Sequence, residues 1–97
     1  MQYQLRIKFP ASSLAQFDEL VLIEEKLISI LGDNHDVDGH DFGEGEFCIF
    51  ILTDRPDELT SYLLSFPDLN ISKRAKSISS RDFSSDEIRE IWSADLI

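Results

Sequence analysis

Apolar and polar residues alternate at the start of the chain, with Tyr3, Leu5, Ile7 and Phe9 set against Gln2, Gln4, Arg6 and Lys8. This period of two predicts a strand with one buried and one solvated face, and Pro10 ends it. Ser13, followed by Gln16 three residues later, fits a capping box at a helix start, and Gly32 fits the C-terminal cap. Between them Phe17, Leu20, Val21, Leu27, Ile28 and Leu31 are expected on one helical face, opposite Asp18, Glu25, Lys26 and Ser29. Glu24 falls near the middle of that apolar face. It is therefore a candidate carboxylate with a raised pKa, unless the helix kinks near Leu22-Ile23 or the side chain reaches the flank to pair with a base.

The pattern then changes. Asp36 to Phe42 mixes Val37, His40 and Phe42 with Asp36, Asp38 and Asp41, which suits an edge strand whose charges discourage aggregation. Gly43-Glu44-Gly45 supplies a tight turn. Glu46 to Thr53, rich in β-branched and aromatic residues and apolar at nearly every position, predicts a central strand covered on both sides. Thr53 to Glu58 carries a helix start with a proline near its first turn and acids facing the positive dipole end. Leu59, Tyr62, Leu63 and Phe66 continue it at helical spacing until Pro67. Leu69 to Ser77 reads as a weaker strand at the other edge. Ser84 to Glu87 forms a second capping box leading into a short C-terminal helix with Ile88, Ile91 and Trp92 on one side.

Strand, helix, strand, strand, helix, strand is the order of an α+β, ferredoxin-like split βαβ fold, a four-stranded antiparallel sheet with both helices on one face. The short terminal helix is extra. The third strand would leave an apolar patch on the open sheet face, and the Ile88, Ile91 and Trp92 face is expected to cover it, within the chain or across a dimer. A chain of 97 residues with 42% hydrophobic content is long enough for one domain with its own core. Cys48 has no partner for an intrachain disulfide and reads as a small core residue.

The formal charge of -10 argues against nucleic acid and anionic membranes as partners, since both repel an acidic protein. It favours a basic protein instead, or serves solubility alone. No basic residue lies between Lys26 and Arg55, whereas Asp33, Asp36, Asp38, Asp41, Glu44, Glu46 and Asp54 all do. Arg6, Lys8, Lys73, Arg74 and Lys76 would occupy the opposite half of the sheet, so the domain is electrically polarised. The N-terminus lacks the build of a signal peptide and no run spans a bilayer, so the chain is expected in the cytoplasm.

The acidic window offers the cluster of oxygen ligands that a hard cation takes. With Gly39 as the turn glycine of an EF-hand loop, Asn34, Asp36 and Asp38 take the first ligand positions, but the closing position falls on Gly45 and a strand follows where a helix is required. His35 and His40 with Asp38 and Asp41 suit zinc or iron chemically, yet strand alternation gathers Asp36, Asp38 and His40 instead. No nucleophile sits in a recognisable turn and no glycine loop precedes a helix, so an enzyme is the least favoured class and no cofactor is implied. Phe47 and Phe50 do not match the RNA-stacking spacing, and Glu46 stands where a basic residue is needed.

The run Asp38-Gly39-His40-Asp41-Phe42-Gly43-Glu44-Gly45-Glu46, with its apolar strand and Thr53-Asp54-Arg55-Pro56, resembles the hairpin region of small stand-alone bacterial proteins of unknown function. That resemblance implies a compact α+β fold and carries no catalytic or binding residues. The composition is also similar to that of toxin-neutralising immunity proteins. The expected function is a protein-interaction module that binds a basic protein or a second copy through the acidic hairpin, the open sheet face or both. Its candidate binding residues are Asp36, Asp38, His40, Asp41, Glu44, Glu46, Phe50 and Trp92. A small-ligand or divalent-metal-responsive regulator is the alternative, with Asp36, Asp38 and His40 as metal ligands.

Overall fold

In a computed structural model, residues 2–10, 17–32, 35–43, 45–67 and 69–94 are described, with side chains omitted at 17–20. The capping box at Ser13 and the turn residue Glu44 lie outside them. Strand β1 (Tyr3–Pro10) leads to helix α1 (Phe17–Leu31), the hairpin of β2 (Asp36–Gly43) and β3 (Glu46–Thr53), then α2 (Pro56–Leu64). A one-turn helix α3 (Ile71–Arg74) follows, and a second hairpin of β4 (Ser77–Asp82) and β5 (Ile88–Ser93) closes the described chain. All pairings are antiparallel and the sheet order is β2-β3-β1-β4-β5.

Alternation in β1 sets the two faces of this sheet. Leu5, Ile7 and Phe9 are wholly buried, and their partners across the ladders are Ile51, Ile49 and Phe47 on β3, with Ile78 on β4 opposite Ile7. Antiparallel partners share a face, so these residues make one apolar layer. Ile23, Leu27 and Leu31 of α1 and Leu59 and Leu63 of α2 join the same buried cluster. Both helices therefore cover one side, and among the described residues no element covers the other, the open face.

Several expectations change at this level. β3 is central but covered on one side, because Phe47, Ile49, Ile51 and Thr53 are buried while Cys48, Phe50 and Leu52 between them are half-buried on the open face. On α1 the buried stripe among the described side chains is Ile23, Leu27 and Leu31, and Ile28 is 55% exposed; the expected positions Phe17, Asp18 and Leu20 lie outside them. The stripe is rotated from the expected one, which moves Glu24 from its middle to its flank.

The sheet has five strands, and two tail elements differ from expectation. Leu69 to Ser77 contains α3 in place of a strand: Ile71 and Ala75 are both buried, and the Ala75 amide donates to the Ile71 carbonyl at 2.8 Å. A spacing of four suits one side of a strand and one side of a helix equally, and left-handed Asn70 (φ 53) turns the chain just before it. The second capping box is a hairpin turn. Asp82 Oδ1 accepts the Ser84 amide at 2.9 Å and its hydroxyl at 2.8 Å, while the Asp86 amide donates to the Asp82 carbonyl at 2.7 Å. A carboxylate two residues upstream thus claims the serine that would have capped a helix.

Trp92 consequently lies in β5 opposite Ile78, on the helix-covered side. Ile88, Ile91 and Trp92 do not cover the open face as expected; Ile88, opposite Arg81, projects onto it and is 58% exposed. Arg89 on the helix side fastens β5 to α2 through Asp57, with both carboxylate oxygens at 3.1 Å.

The β2–β3 ladder contains a bulge between Val37 and Gly39, where Gly39 has φ +139, a conformation that side chains rarely adopt. Gly39→Val is expected to destabilise the fold by about 1–3 kcal/mol, read as a lower urea midpoint with unchanged slope. An unchanged midpoint would contradict the bulge.

Candidate functional site

The bulge governs where the chemistry of the hairpin goes. Val37 faces the helices opposite Ile51, but Gly39 pairs with Phe50 and His40 with Ile49. Asp38 is the extra residue. An inserted residue inverts the facing of everything after it, so His40 and Phe42 point to the helix side while Asp36 and Asp41 share the open face. Asp36, Asp38 and His40 therefore do not share one face, which removes the alternation argument that joined them as ligands. Among the described residues no three His, Cys, Asp or Glu side chains gather around a common point.

On the helix side, His40 Nδ1 lies 2.8 Å from Glu24 Oε2. This bond joins the edge strand to α1 and answers the question posed by Glu24, whose side chain at the helix flank reaches a nearby base. Phe42, 59% exposed, rests on Phe47 with ring centroids 4.7 Å apart.

The open face is striped. Rows across it run Asp36, Leu52, Gln4, Arg81; then Gly39, Phe50, Arg6, Ser79; then Asp41, Cys48, Lys8, Ser77. An acidic edge on β2 is followed by an apolar stripe on β3 and a basic stripe on β1. Arg6 places its guanidinium carbon 5.9 Å from the Phe50 ring centroid, a cation–π arrangement, and its Nε is buried without a hydrogen-bond partner among the described residues. Burial pushes the Cys48 thiol up, against the opposing pull of Arg6 and Lys8, so this cysteine is a poor nucleophile. Glu46, at the end of β3, lies 3.6 Å from Lys76 Nζ.

A second site escaped the sequence. Between the end of α1 and the start of α2 is a cleft of about 760 Å³ lined by Ile30, Leu31, His35, Asp54, Arg55, Glu58, Leu59 and Tyr62. His35 Nδ1 lies 2.9 Å from Thr53 Oγ1, which also accepts the Arg55 amide at 2.9 Å. Burial, helped by the Arg55 charge and opposed by Asp54, lowers the His35 pKa below 6.5. The available signal was a histidine just past the glycine cap of one helix and an Asp-Arg-Pro entry to the next; neither predicts that the two ends meet.

Because His35 is held neutral, its contribution to stability is complete above 6.5 and is lost as pH falls toward its lowered folded value. His35→Gln is expected to flatten the fall in melting temperature between about pH 7 and 5, and an unaltered slope would contradict the lowered value.

Among the described residues no helix is long and apolar enough to cross a membrane. The chain matches no family model, no curated protein and no solved structure.

Proposed function

We propose that this chain is a protein-recognition module whose contact surface is the acidic edge of the β2–β3 hairpin together with the open sheet face. The observation that carries the reading is the placement of Asp36, Asp38 and Asp41, all exposed on an edge strand, beside the half-buried Phe50 and Leu52. An edge acid row discourages indiscriminate strand pairing, and the same row steers a basic partner toward the apolar stripe. The strand order β2-β3-β1-β4 with α1 and α2 on one side supports reading the domain as ferredoxin-like, with β5 added at one edge.

The cleft beside His35 favours a second reading, a small-ligand-responsive regulator. Its walls combine apolar Leu31 and Leu59 with charges of both signs at Arg55, Asp54 and Glu58, which suits a polar organic molecule better than a bare cation.

The recognition reading is tested by passing extract over the immobilised chain and eluting with salt. Replacement of Asp36, Asp38 and Asp41 by Asn is expected to abolish retention of basic proteins and, for an isolated partner, to lower the association rate about tenfold or more; identical eluates would overturn the reading. For the regulator, melting with calcium, magnesium, manganese or zinc is compared with sodium chloride of equal ionic strength. The cleft reading expects no saturable, chelator-reversible rise, whereas such a rise for one cation would replace it with a metal site.

A further inference from the structure

We infer that the open sheet face pairs with the same face of a second copy, about a two-fold axis that runs along β3. The inference rests on the recognition reading above and identifies one occupant of that surface.

Charge placement chooses both the partner and the axis. Asp36 and Asp41 lie on β2, Arg6 and Lys8 on β1, and β3 lies between them. Strands two apart in a sheet are separated by roughly 9–10 Å, with β3 between the two sets. None of the four has an ion-pair partner among the described residues. The face therefore carries complementary charges that are not paired with each other, on either side of an apolar stripe.

Consider a second sheet laid on this face at the usual spacing of about 10 Å. A two-fold axis along β3 puts each β2 over the other copy's β1. Asp41 then faces Lys8, Asp36 approaches Arg6 diagonally, and the stripe of Cys48, Phe50 and Leu52 packs on its own image. A two-fold axis across the strands would place the acids of β2 on one another, whereas the axis along β3 brings together only the two Glu46 side chains at the start of that strand, each 3.6 Å from its own Lys76 Nζ. The self-complementary arrangement is isologous and closes as a dimer.

Area and net charge are both compatible with this pairing. The overlap is β1, β2 and β3 of each copy, since β4 falls beyond the other copy's edge strand; three strands of about eight residues present roughly 400 Å² per copy, so the two faces together bury roughly 800 Å², the size of a weak, reversible dimer. The overall charge of -10 on each copy opposes approach at long range, but at physiological salt the Debye length is about 8 Å. Remote charges are then screened more strongly than pairs in contact.

The test is sedimentation of the whole chain at physiological salt. Wild type is expected to approach twice 11.1 kDa as concentration rises. Asp36→Lys/Asp41→Lys makes both stripes basic and Arg6→Glu/Lys8→Glu makes both acidic, so each variant alone should weaken association by ~100-fold. An equimolar mixture should restore a mixed dimer, with circular dichroism confirming that both variants fold. A wild type that stays monomeric or a mixture that does not recover would overturn the inference. A monomer that still loses basic proteins when Asp36, Asp38 and Asp41 are replaced by Asn overturns the dimer alone; a dimer that never retains them overturns the basic-partner reading alone.

Discussion

Asp38, the one extra residue in β2, decides which side of the sheet the later side chains of that strand occupy. Without it, Asp36, Asp38 and His40 would project together and Asp41 would point toward the helices. With it, the imidazole turns inward to Glu24 and the Asp41 carboxylate turns outward to lie beside Cys48. A bulge at an edge tolerates this rearrangement because no further strand must match its register on the outside. Gly39 supplies the backbone conformation that the inserted residue requires.

The division of chemistry between the faces follows. On the helix side, polar groups hold elements together: Glu24 with His40, Thr53 with His35, Arg89 with Asp57. On the open side, the corresponding charges are kept apart by β3. Edge protection is likewise divided, since β2 uses carboxylates and β5 uses Arg89 to attach itself to α2. Exposed ion pairs of this last kind contribute little individually, and the position of β5 owes more to its ladder with β4 and to Trp92 against Ile78.

Elements with a single reading were legible in the sequence. β1 declares itself through uninterrupted alternation, β2 and β3 through the glycine turn between them, and α2 through Pro56 and its helical spacing. The tail was not legible, because its signals fit two structures. Ile71 and Ala75 suit a strand or a helical turn, and Ser84 to Glu87 suits a helix cap until Asp82 takes the serine for itself. The bulge has no signal beyond a glycine among acids, so the hairpin's candidate residues were readable as a set while their division between two faces was not. The cleft around His35 depends on where two helix ends meet, a tertiary fact that no local pattern carries.

Two helices are enough to cover one face of this sheet, and the composition of the other face shows how the chain meets the consequence. β1 is polar there, with Gln4, Arg6 and Lys8, and β4 contributes Ser77, Ser79 and Arg81. A face intended purely for water would continue that pattern into β3. Instead β3 carries Cys48, Phe50 and Leu52, and Arg6 lies over the Phe50 ring. This shelters the ring in part, as long cationic side chains do when their stems cover apolar surface, but Leu52 has Gln4 on one side and Asp36 on the other. The stripe is therefore too apolar to be explained by solvation and too exposed to be explained by the core. On the proposed reading, its bordering charges, opposite in sign on the two sides, orient the partner that the stripe contacts.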